Sequence, residues 1–68
     1  MSAYLSDKGE ALEKNRIYII NGSRLWYRGR MSIDGGREVQ YRFFTDTGYS
    51  ASKTAHEIDR AEIIRSMV

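Results

Sequence analysis

A chain of 68 residues is one small domain, and a domain of about 60 residues buries only roughly 60% of the surface that its unfolded chain exposes, so a deep catalytic cleft is hard to build. Cysteine is absent, which excludes disulfides and thiolate metal sites, and no apolar run is long enough to span a membrane. The formal net charge is only +2, so the total selects no partner.

The distribution of charge says more. From Lys14 to Arg42 there are seven basic residues against Asp34 and Glu38, an excess of five positive charges between two mildly acidic ends. A basic centre of this kind is the footprint of a polyanion-binding face, with a merely solvated surface as the alternative. Eight of the eleven basic residues are arginine, which suits phosphate forks and base edges better than lysine does. The start MSAYLSDKGE has no signal-peptide core, and a small secreted scaffold usually needs disulfides, so a cytoplasmic setting is expected.

Residues 1–15 form an N-terminal arm or a short helix, in which Ser6 can cap a turn through Glu10-Ala11-Leu12 and Gly9 weakens it. Residues 16–68 then read as a three-stranded sheet plus a C-terminal helix. Ile17-Tyr18-Ile19-Ile20 is a strand, and Asn21-Gly22 is the strongest two-residue hairpin signal, a type I′ turn. It pairs Ile17 with Trp26 and Ile19 with Arg24. Arg24 to Ile33 is the second strand, Asp34-Gly35-Gly36 a second turn, and Arg37 to Thr45 a third strand in which Val39, Tyr41 and Phe43 alternate with polar residues.

A three-residue Asp34-Gly35-Gly36 loop, with Gly36 in the left-handed position of a bulge, would put Leu25, Tyr27, Gly29, Met31 and Ile33 on the same face as Val39, Tyr41 and Phe43. The facing pairs are then Met31–Val39, Gly29–Tyr41 and Tyr27–Phe43. The other face carries Arg24, Trp26, Arg28, Arg30, Gln40, Arg42 and Phe44, with Trp26 opposite Phe44 and Arg28 opposite Arg42. Like charges placed opposite each other destabilise a sheet unless an anion lies over them. Trp26 has a second reading, in which it packs beneath Leu5 and Leu12 on the side shared with Ile17 and Ile19.

Thr54-Ala55-His56-Glu57 has capping-box spacing and starts a helix to Met67, with Ile58, Ala61 and Ile64 on one stripe and Val68 near it. Ile63 and Met67 fall off that stripe. The expected fold is therefore α+β, a three-stranded antiparallel meander packed on a C-terminal helix. The competing reading makes residues 49–56 a fourth strand and closes a small SH3-like β-barrel.

Catalytic signals are weak. The single histidine, His56, sits at a helix start, and the acids are scattered, so neither a metal site nor a cofactor is implied. Gly35-Gly36 lacks the strand–loop–helix frame of a phosphate loop. The basic–aromatic face is the one constellation with chemistry. Its arginines suit phosphates or guanine edges, and a two-stranded ribbon fits the major groove. Trp26 or Phe44 could instead stack on unpaired bases. Lys53 and the amides at the start of the C-terminal helix could hold a further phosphate.

The run Leu25-Trp26-Tyr27-Arg28-Gly29-Arg30, the Asp34-Gly35-Gly36-Arg37 turn, the third strand ending Phe43-Phe44-Thr45, and Thr54-Ala55-His56-Glu57-Ile58-Asp59-Arg60-Ala61 carry a resemblance. Over Tyr18 to Ile64 the chain resembles three-strand-plus-helix DNA-binding domains, namely the arm-binding domains of phage and transposon integrases and the plant AP2 domain. The resemblance implies a sheet that enters the major groove, with Arg24, Trp26, Arg28, Arg30 and Arg42 touching DNA. The double-stranded-RNA-binding domain has a similar element order, and Ser52-Lys53 is similar to its helix start, but the further lysines of that motif are missing.

The expected function is thus a non-catalytic nucleic-acid-binding module, with DNA ahead of RNA and duplex DNA first, and with no membrane or small-molecule substrate. The alternative is a small phage- or plasmid-type protein that binds and inhibits or regulates a host protein, since Tyr, Trp and Arg also dominate protein interfaces.

Overall fold

In the computed structural model, which describes residues 5–66, the chain is an α+β fold of one five-stranded antiparallel sheet and two short helices. In chain order the elements are α1 (Asp7–Glu10), β1 (Ile17–Ile20), β2 (Ser23–Ile33), β3 (Glu38–Phe44), β4 (Ser50–Thr54), α2 (Ala55–Arg60) and β5 (Ile63–Arg65). Strand order in the sheet is β4-β3-β2-β1-β5, so the last strand returns to the first. No helix among the described residues is long and apolar enough to cross a membrane.

The first hairpin follows its turn chemistry. Asn21 and Gly22 have φ of 50° and 82°, the two positive values that a type I′ turn needs. Ile17 faces Trp26 and Ile19 faces Arg24 as expected. Asn21 also fastens β5. Its N–H donates to the Glu62 carbonyl at 2.9 Å, and its side-chain carbonyl accepts from the Glu62 N–H at 3.0 Å.

The chain after β3 corrects the sequence reading. A fourth strand and a capped helix are both present, although they stood as competitors. Thr54 ends β4 and accepts from the Glu57 N–H, while the Glu57 carboxylate accepts from the Thr54 N–H. That hydrogen bond from the backbone holds the Glu57 carboxyl below its ordinary pKa. The helix stops at Arg60 and does not run on to Met67; Met67 and Val68 lie outside the described residues. The reason is visible in Ile63-Ile64. A helix would leave Ile63 off the apolar stripe. As strand residues the two alternate, so that Ile63 faces Ile20 and packs against the core while Ile64 faces Ile19 on the other side of the sheet and is 50% exposed.

One face of the sheet holds the core. Tyr18, Ile20, Leu25, Tyr27, Val39, Tyr41 and Phe43 project into it and are covered by Ala55, Ile58 and Ala61. Tyr41, Phe43 and Ile58 are fully buried. Met31, expected here, is on the opposite face, for a reason given below.

The N-terminal segment is a single helical turn that closes the Tyr41 end of this core. Ser6 caps it by accepting from the Gly9 N–H, at 3.0 Å. The Ser6 N–H donates to the Tyr41 hydroxyl at 3.2 Å, the Ser6 hydroxyl donates to the Asp59 carboxylate, and the Lys8 ammonium donates to the Ala61 carbonyl at 2.9 Å. α1 is thereby tied to both the sheet and α2. Leu12 packs against the core, so it does not cover Trp26 on the far face.

Gly9 is required by this closure, because a Cβ there would stand 2.4 Å from the Tyr41 ring. In a helix free of contacts, Gly→Ala stabilises by about 0.5–1 kcal/mol. Here Gly9→Ala is expected to reverse that sign and destabilise by about 1–3 kcal/mol through overpacking. Urea unfolding followed by circular dichroism measures it, and an unchanged or raised midpoint would contradict the packing described.

Candidate functional site

The second hairpin determines the site. Ile33 pairs with Glu38, so the turn is the four-residue Asp34-Gly35-Gly36-Arg37 and not the expected three-residue loop. Counting from that turn, Met31 faces Gln40, Arg30 faces Tyr41 and Gly29 faces Arg42. At Tyr27 the register moves by one residue, and Tyr27–Phe43 and Trp26–Phe44 pair as the sequence suggested. Arg28 is the extra residue, a β-bulge, and Gly29 beside it has φ of 138°, a conformation that side-chain-bearing residues rarely adopt.

A bulge places two successive residues on one side and reverses the alternation beyond it. Arg28 therefore stays on the outer face with Arg24 and Trp26, but Arg30 leaves it. The expected opposition of Arg28 and Arg42 does not occur, since Gly29 is the residue facing Arg42. Arg30 instead shares the inner row with Tyr41 and forms an ion pair with Glu10 of α1. That carboxylate, by hydrogen bond and charge, holds the Arg30 guanidinium above its ordinary pKa. Met31 takes the outer position that Arg30 vacates and is 39% exposed.

The outer face is thus built in rows across the strands. Ile64, Ile19 and Arg24 form the first. Ile17, Trp26, Phe44 and Ser50 form the second. Gly29, Arg42 and Ser52 form the third, with bulged Arg28 beside them, and Met31, Gln40 and Thr54 the fourth. Trp26 is 40% exposed, and its ring lies 6.4 Å from that of Phe44 at an interplanar angle of 58°. The Arg28 guanidinium sits 4.6 Å from the centre of the Trp26 ring and 5.9 Å from that of Phe44, and it donates to the Asn15 side chain at 3.3 Å. Such a cation–π contact holds the charge in place without neutralising it.

Of the eight residues expected at the site, the structure brings Arg24, Trp26, Arg28, Gln40, Arg42 and Phe44 onto one face. It removes Arg30, as above, and Lys53, which faces Tyr41 on the inner row of β4. The α2 amides near Lys53 are occupied in part by the capping box. Two contributors were missed. Lys14 lies over Gly29, its Cε 3.1 Å from where a Cβ would be, and lines an open groove with Arg28, Arg42 and Phe44. Asn15, in the left-handed region with φ of 65°, steadies Arg28. The mid-strand glycine was the available signal for both, since glycine within a strand marks a bulge or a close approach.

Among the described residues no three of His, Asp or Glu come together in a way that could hold a metal ion.

Gly29→Ala should strain the bulge and cost about 1–3 kcal/mol. It should also release Arg28 from the Trp26 ring, so that the ring-current shift of the Arg28 side-chain protons is lost from the NMR spectrum. A variant that keeps both its stability and that shift would contradict the bulge assignment.

Compared with known proteins, the chain matches no family model, no curated protein and no solved structure.

Proposed function

We propose that the chain is a non-catalytic nucleic-acid-binding module whose contact surface is the outer face of the sheet. One observation carries this reading: Lys14, Arg28 and Arg42 line one groove beside Phe44, Arg28 lies over the Trp26 ring, Arg24 shares their face, and none of these four has an ion pair among the described residues, whereas Arg16 and Arg30 are paired with Glu13 and Glu10. A sheet that pairs Arg30 with Glu10 away from this face and leaves Arg24, Arg28 and Arg42 on it is suited to a polyanion. DNA is the first expectation, ahead of RNA. The return of β5 to β1 through α2 favours the small SH3-like barrel over three strands and a helix, so support from the integrase and AP2 resemblance is confined to the β2–β3 hairpin and the capped helix start.

A regulator of a host protein is the second reading. Ile17, Ile19 and half-exposed Ile64 extend an apolar band from Trp26 across the sheet, and a protein partner would use that band. Such a complex should survive high salt.

Binding to a labelled oligonucleotide should weaken steeply with salt, because each phosphate contact releases condensed counterion. Arg28→Ala and Arg42→Ala should each weaken binding and reduce the slope of log K against log salt by about 0.7–0.9. Binding that neither substitution affects would remove this face as the site.

A further inference from the structure

The outer face has two compartments of different chemistry that meet at Phe44. One is an open, mainly apolar groove of about 340 Å³ lined by Ile17, Trp26, Phe44, Thr45, Asp46 and Gly48. The other, also about 340 Å³, is lined by Lys14, Arg28, Arg42 and Phe44 among others. We propose that the face takes an unpaired nucleic-acid strand, with a base stacked in the Trp26–Phe44 groove and the adjoining phosphates over Lys14, Arg28 and Arg42. This deepens the nucleic-acid reading and rests on it.

The aromatic geometry argues for base faces. A duplex presents phosphates and base edges, while its base faces are stacked on one another. Trp26 and Phe44 form a tilted pair at 6.4 Å, and the 40% exposure of Trp26 leaves part of its aromatic surface open to an unpaired base. Stacking on such rings tolerates any base, because every base has a π-face. Arg28, already lying over Trp26, extends the stack on one side and carries its charge to the phosphate compartment. The short side chains of Ser50 and Ser52, opposite Phe44 and Arg42 on the edge strand β4, leave the path across that edge low.

The charges set a direction. Asp46 lines the apolar groove at the end away from Arg28 and Arg42. Its carboxylate repels phosphate and can accept hydrogen bonds from base N–H groups. The base edge should therefore point toward Asp46, and the sugar–phosphate chain should run on the arginine side.

The test uses the full chain with a labelled 12-nucleotide DNA strand, the RNA strand of the same sequence, and the blunt DNA duplex, at low and moderate salt. The inference expects at least one single strand to bind tenfold or more tightly than the duplex and to quench the Trp26 emission. Trp26→Ala, at a half-exposed position, should weaken single-strand binding about five- to hundredfold, the range of one lost stacking contact, without changing the salt slope. Phe44→Leu, which keeps an apolar side chain facing residue 26, should weaken it in the same way if Trp26→Ala disturbs the sheet. A duplex that binds as tightly as either strand, or single-strand binding indifferent to both substitutions, overturns the inference and leaves the nucleic-acid reading standing. Absence of binding to all three at low salt overturns that reading as well, and a protein partner then takes the face.

Discussion

At Arg28 the central strand β2 carries one residue more than β3, and Gly29 accommodates it with φ of 138°. Two consequences follow from this single insertion. On one side of the bulge Arg28 is held against Trp26, over the outer face. On the other side the alternation is reversed, so that Arg30 turns inward to meet Glu10 on α1 and Met31 turns outward. Without the extra residue, the four-residue turn would carry the wrong set of β2 side chains opposite Tyr27's neighbours, and either the core or the arginine face would be lost.

The core depends on the same arrangement. A domain this small has little apolar area to spare, and its sheet is covered by only one turn and a half of α2 together with α1. Tyr41 is the meeting point. Its ring lies against Gly9, and its hydroxyl accepts from the Ser6 N–H. The Arg30–Glu10 pair is exposed and contributes little by itself, since exposed pairs are worth about 0–1 kcal/mol. Its effect is positional, because it links α1 to the strand segment beyond the bulge, where the reversed alternation has already turned Arg30 inward. The outer face is left with Arg24, Arg28 and Arg42, which have no ion pair among the described residues.

Much of this was legible from local chemistry. Asn21-Gly22 dictated both the turn and the β1–β2 register, and Thr54 with Glu57 dictated the start of α2 to the residue. The placement of Trp26, Arg28, Arg42 and Phe44 on one face followed from period-two alternation near the unshifted end of the hairpin. What failed lay beyond the bulge. Alternation cannot register an inserted residue, so Arg30 was assigned to the wrong side, and only Gly29 hinted at the break. Ile63-Ile64 was misassigned because a capping box specifies where a helix begins and not where it ends, and the partner that turns this segment into a strand, β1, lies more than forty residues earlier in the chain. Lys53 was placed by its nearness to the helix start, although its strand parity aims it toward Tyr41.

The outer face of the sheet is the proposed surface for nucleic acid. The most direct measurement is a ¹H–¹⁵N NMR titration of the chain with an unlabelled single-stranded oligonucleotide. Shifts are expected to be confined to the Trp26 indole N–H, the Arg28 and Arg42 side chains, and the backbone of residues 44–48, with α1, α2 and the 34–37 turn unmoved. Saturable shifts centred on α2 or on the 34–37 turn, with the Trp26 indole unmoved, would contradict it.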